Sequence, residues 1–160
     1  MAKTKATGIT TAQTFVFEQT RVARYVALAE TAGGFTVPDP KSGISDRHFQ
    51  PLEFPGLIES ASVIFFRTRH TGKPSFSVRI NQASLTRFTF TAADPPERSW
   101  HEIIPARVPS GSTLSAQNNE LIFAVSGNGA VTFGDVVILY TSNELTVKIP
   151  LVLTAQLSTR

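Results

Sequence analysis

The chain has 160 residues, 41% of them apolar and only 17% charged, with no cysteine and a net charge of +3. That length is enough for one domain with an unstapled core, and the absence of cysteine excludes disulfides, thiolate metal sites and a cysteine nucleophile. The excess of positive charge is mild; a nucleic-acid surface gathers basic residues on one face, and Lys3 with Lys5 make only a short cationic arm, so no nucleic-acid partner is expected.

Residues 1–13 read as a polar, Thr-rich arm, and 14–160 as a single domain. The start lacks the apolar core of a secretory signal, and no run approaches the ~18 apolar residues of a membrane helix. The expected location is the cytoplasm, or outside the cell by a route without a signal peptide. In "TFVFEQTRVARYVALAE" (14–30), Phe15 and Phe17 alternate as in a strand. Further on, Val22, Tyr25, Val26 and Ala29 fit a helix while Val22, Val26 and Leu28 fit a strand, so residues 18–30 stay open between the two. Residues 31–56 hold four prolines and four glycines and read as a long irregular connection, with room for a short strand.

From Leu57 the strand signal sharpens. "ASVIFFRTR" is apolar on both faces at its centre and reads as buried. "TGKPS" reads as a turn, and "FSVRI" as a half-buried strand with Phe76, Val78 and Ile80 on one face. "LTRFTFT" sets Phe88 and Phe90 on one side, and "WHEIIPA" is a further strand before the turn "RVPSGST". "ELIFAVS" and "AVTFGDVVILYTS" then flank "SGNGA", where Asn128-Gly129 reads as the type I′ turn of a hairpin. Leu121, Phe123 and Val125 would meet Val131 and Phe133 across it. Continued alternation would put Asp135 on the apolar face. Either a bulge starting at Gly134 flips the phase, which is the favoured reading, or hydrogen bonds hold the carboxylate. "ELTVKIPLVLTAQL" closes the chain with apolar residues on both faces. Strands at this spacing, with turn signals between, indicate an all-β, jelly-roll-like antiparallel β-sandwich with an extended N-terminal arm.

Trp100, Pro105 and Pro109, the pair Asn118-Asn119, Gly127 to Gly129 and Asp135 follow one another in an order that resembles the galactose-binding-like jelly rolls, a family that includes many carbohydrate-binding modules. The similarity covers about residues 57–142. It implies a β-sandwich and a sugar ligand.

Chemistry-bearing constellations are sparse. His48, His70 and His101 show no metal-ligand spacing; Asp46-x-His48 is a common loop pair; no nucleophile elbow, phosphate loop or paired carboxylates are evident. No catalytic residue, metal or cofactor is expected. The basic set is denser: Arg67, Arg69, His70, Lys73, Arg79 and Arg87 fall on three successive predicted strands and their turn. Guanidinium forks suit carboxylate, sulfate or phosphate. The candidate ligand residues are therefore Arg67, Arg69, Arg79, Arg87, His70 and Trp100, although the strand position of Trp100 favours packing in the core. The first functional expectation is a non-catalytic binding module for carbohydrate or an anionic surface, marked by an exposed groove bearing Tyr25, Tyr140, Trp100 or the arginines. The alternative is a self-assembling structural subunit, a homo-oligomer of capsid, filament or appendage type, joined through its arm and its apolar closing strand.

Overall fold

The computed structural model describes residues 16–29 and 34–148, and the proposed arm and most of the closing apolar segment lie outside them. The chain divides into a main body, Arg21–Asn143, and a smaller unit made from the two chain ends. Among the described residues there are nine strands and no helix. They are β1 (Val16–Ala29), β2 (Phe35–Val37), β3 (Asp46–Leu52), β4 (Ser62–Ile80), β5 (Ala83–Thr89), β6 (Glu97–Ile104), β7 (Arg107–Val108), β8 (Gly111–Ser112) and β9 (Asn119–Lys148). The open question over residues 18–30 resolves as strand as far as Ala29. In β1, Val22, Val26 and Leu28 are half-buried while Ala23, Tyr25 and Ala27 are exposed, so the period of two prevails.

Two long strands organise the main body. β4 and β9 pair antiparallel from Val63↔Leu139 to Ile80↔Leu121. This overturns two expected turns and one expected hairpin. "TGKPS" and "SGNGA" do not reverse the chain; they lie side by side, with Gly72 opposite Gly129, Lys73 opposite Asn128 and Pro74 opposite Gly127. Both strands pass through a shared corner there. Gly72 (φ 72°), Gly127 (φ 87°) and Gly129 (φ 137°) supply backbone angles that other residues rarely adopt. Glycine here marks a bend in two paired strands and not the turn that ends them.

Each long strand thus serves two layers. The first layer joins β6, residues 62–70 of β4, residues 131–139 of β9, and β2. The second joins β5, residues 75–80 of β4, residues 119–126 of β9, and β3. Alternation along β4 keeps the same phase through the corner, so Ile64, Phe66, Phe76, Val78 and Ile80 are all buried. The layers face each other across an aromatic core. Phe66 and Phe133 of the first meet Phe76 and Phe123 of the second, with the Phe123 and Phe133 ring centroids 4.7 Å apart. Leu121, Phe123, Val125, Val131 and Phe133 do share one buried face, as expected, but they meet across the sandwich and not across a hairpin. The fold is an all-β antiparallel sandwich.

The register of β4 against β9 shifts between Phe65 and Arg67, and Asp135 sits at φ 50°. This is the expected bulge. Val136 returns to the core with no exposed surface, and Asp135 turns outward to bond Arg67, Nε to Oδ2, at 2.5 Å. The 31–56 connection contributes β2 and β3, both paired with β9. Pairing of β3 is irregular between Phe49 and Leu52, where Pro51 has no N–H to give.

Candidate functional site

The six sequence-predicted ligand residues occupy four separate places. Arg67 and Arg69 point outward from the first layer. Each is held by an acid of the same face, Arg67 by Asp135 and Arg69 by Glu97. Arg79 and Arg87 point outward from the second layer, on β4 and β5, and lie beyond the corner from the first pair. The expected sharing of one face by these arginines fails because β4 changes layer between them. Trp100 packs between the layers: its ring stacks on Phe66 at 6.1 Å and meets Phe76 and Phe88 edge-on at 5.1 and 5.0 Å. Its Nε1–H donates to Thr68 Oγ1 at 2.9 Å, and the Arg98 guanidinium covers the ring at 4.2 Å. The ring is therefore half-buried and packed against the core. His70 stacks on Phe90 at 3.9 Å beside the corner, its Nδ1 buried without a partner. Tyr140 is also a core residue, 5.2 Å from Phe54, whereas Tyr25 is 71% exposed.

Two outward surfaces stand out. On the first layer, cross-strand neighbours Ile103, Val63 and Leu139 form one row, and His101, Phe65 and Val137 the next. Ile103 is 66% exposed, Phe65 41% and Leu139 38%. The double-sided apolar character of "ASVIFFRTR" predicts burial on both sides; only one side is covered. Beyond these rows the face becomes charged, but its charges cancel in the Arg67–Asp135 and Arg69–Glu97 pairs.

On the second layer, Ser45, Asp46, Ser75, Ser77, Arg79, Ser84, Arg87 and Ser126 line an open cleft of about 500 Å³. Neither Arg79 nor Arg87 makes an ion pair among the described residues. The serines escaped sequence reasoning because they come from four segments, with only Ser75 and Ser77 sharing one; the pairing of β4, β5 and β9 brings them together. The single available signal was the alternation Ser75-Phe76-Ser77-Val78-Arg79, which marks one polar face.

At one side of this cleft His48 bridges two carboxylates. Its Nδ1 lies 2.7 Å from Glu120 Oε1 and its Nε2 3.1 Å from Asp46 Oδ2. Ile122, which lies between Arg79 and His48 in the register, is buried although it belongs to the outward face. The hydrogen bond to Glu120, followed by that to Asp46, raises the His48 pKa above its ordinary 6.5. A raised folded-state value means that the protonated histidine stabilises the fold fully below about pH 6.5, and that this contribution fades as pH rises through the raised pKa. The ring is partly solvated, so the effect is below about 1 kcal/mol. Thermal melts of the wild type and of His48→Gln, compared at about pH 6 and pH 8.5, are expected to show a gap that narrows at the higher pH. An unchanging gap would mean that the histidine contributes by packing alone.

Among the described residues, no three of His, Cys, Asp and Glu are placed to hold a metal ion. No described helix is long and apolar enough to cross a membrane. Comparison with family models, curated proteins and solved structures returned no match for this chain.

Proposed function

We propose that the protein is a non-catalytic structural subunit that associates with further copies of itself through the outer face of the first layer. The carrying observation is the apolar block of Ile103, Phe65 and Leu139, with Val63 and Val137 between them, left open on a sheet whose other face already lines the core. Contiguous exposed apolar surface of this kind is uncommon on monomers and marks interaction sites. The face also has the anatomy of an interface, an apolar centre beside a polar rim whose charges are internally neutralised. Such a rim lets two copies meet without like-charge repulsion, and a two-fold axis would set each apolar block on its equivalent. A glycan ligand is the weaker reading, because Tyr140 is buried in the core and the half-buried Trp100 is packed against it under the Arg98 guanidinium.

Light scattering after size exclusion tests the proposal. The wild type is expected to run as a multiple of 17.4 kDa. Ile103→Glu combined with Leu139→Glu should return it to a folded monomer, since two carboxylates would be buried against two more at the same contact. Deleting residues 1–13 in parallel asks whether the arm adds to the contact. A wild-type monomer at every concentration would overturn the proposal, as would an oligomer indifferent to the two glutamates.

A further inference from the structure

Arg47 and Arg98 lie over aromatic rings, and three other outward arginines are neutralised by acids: Arg67 by Asp135, Arg69 by Glu97, Arg107 by Glu59. Arg79 and Arg87 are not, although they stand on adjacent strands of one cleft. The register sets Arg87 opposite Ser77 and Arg79 opposite Ser84. Hydroxyls of Ser45, Ser75, Ser77, Ser84 and Ser126 line the same space, and of these Ser75 already pairs with Thr89 at 2.8 Å. The one acid on the wall, Asp46, is engaged by His48, whose other nitrogen meets Glu120.

We infer that this cleft binds a tetrahedral oxyanion, the sulfate or phosphate ester group of a small ligand. Two guanidinium groups and several short hydroxyl donors fit an anion with three outward oxygens, each able to accept more than one hydrogen bond. The cleft is open and shallow, and its only aromatic lining residue is Phe76, which is buried in the core. Recognition therefore rests on charge and hydrogen bonding and not on ring stacking. Asp46 and Glu120 offset part of the positive charge. Their effect is to favour a ligand whose anionic group lies toward Arg87 and whose hydroxyls lie toward Asp46, as in a monoester of a polyol. This site lies on the opposite layer from the self-association face and does not depend on it.

Isothermal titration with glucose 6-sulfate, glucose 6-phosphate and glucose tests the inference on the full chain. At least one of the two esters should bind, and which one does identifies the source of the oxyanion; neutral glucose should not bind. Affinity should fall as salt is raised. Arg79→Gln and Arg87→Gln should each weaken binding by about tenfold or more, the loss of a charge-assisted hydrogen bond. Arg67→Gln, on the other layer, should leave it unchanged. All three variants change exposed side chains, so the fold is expected to persist, and circular dichroism checks that it does. Failure of both esters to bind, equal binding of glucose, or undiminished binding by the Arg79→Gln/Arg87→Gln double variant would overturn the inference.

Discussion

Asn119→Ala should lower the folding free energy by roughly 2–4 kcal/mol, with an unchanged denaturant slope. The side chain is completely buried and uses both of its ends. Its Nδ2 donates to the carbonyls of Leu52, at 3.0 Å, and Ser115, at 2.8 Å. Its Oδ1 accepts from the Ser115 N–H at 2.9 Å and from Asn81 Nδ2 at 3.0 Å. Asn81 in turn donates to the Thr113 carbonyl and accepts from the Glu120 N–H. One amide thereby ties together the end of β3, the turn after β4 and the loop that leads into β9. Alanine would leave donors and acceptors of three segments without partners, and that desolvation is the costly part. Asn119→Asp separates hydrogen bonding from volume: it keeps the size and the acceptor Oδ1 but replaces the donating NH2 with a second acceptor, and it buries a charge, so it should be at least as damaging as alanine. Urea titrations followed by Trp100 fluorescence measure both. A loss below about 1 kcal/mol for alanine would show that water replaces the amide, and that the network is less enclosed than its geometry indicates.

The tripeptide Asn-Glu-Leu occurs twice, at 119–121 and 143–145, each time before a run of apolar residues, and the two copies have different uses. Asn118 takes a left-handed φ of 59° and Asn119 locks the loop, so the first copy is indeed a turn leading into a strand. The second copy, at Asn143, falls within the continuous run of β9 and is not a turn. Short polar residues before apolar runs have both uses, and only the pairing partner separates them. The alternation of apolar residues was legible because burial on one sheet face imposes it directly; the core assignments of Phe76, Val78, Phe123 and Phe133 follow from it. What could not be read was continuity. Glycine and proline mark a departure from regular strand, but "TGKP" and "GNG" lie opposite each other, and that mutual pairing is a long-range fact.

The same limitation shaped the reading of the surfaces. Counting arginines along β4 and β5 found basic density, yet the corner sends Arg67 and Arg69 to one layer and Arg79 and Arg87 to the other. Partners across the sheet then neutralise the first pair and not the second. For the apolar outer face, the doubled "FF" of β4, the "II" of β6 and the "VVIL" of β9 carried the signal. A sheet covered on both sides and a sheet awaiting a neighbour write the same pattern, because in both cases water is meant to be excluded. Burial in the isolated chain is what distinguishes them.

Gly129→Ala should cost about 3 kcal/mol, and Gly72→Ala a similar amount, by opening the corner that both layers share. Two effects add at each position. The backbone angle is one that an L-residue rarely adopts, φ 137° at Gly129 and 72° at Gly72. The space for a side chain is also closed by main chain. A methyl group on Gly129 would run into the Thr71 carbonyl and reach 3.0 Å from the Pro74 ring, and one on Gly72 would lie 2.5 Å from the Asn128 carbonyl oxygen. Backbone atoms of a paired strand cannot swing aside as the end of a flexible side chain can, so relief requires the strands to separate. Gly43→Ala is the control: its φ is also positive, at 71°, but nothing lies within 4 Å of the added methyl. It should cost only the left-handed penalty of about 1–2 kcal/mol. The difference between Gly43 and the corner glycines in thermal or urea unfolding thus isolates the steric part. Equal losses at Gly43 and Gly129 would mean that the two strands do not approach so closely at the corner, and the account of one continuous β4–β9 ladder feeding both layers would have to give way to separate hairpins. A larger loss at Gly129 and Gly72 ties the stability of both layers to a contact between two backbones. It would also explain why a segment so rich in turn-forming residues makes no turn: the glycines are there because only hydrogen fits between strands that bend together.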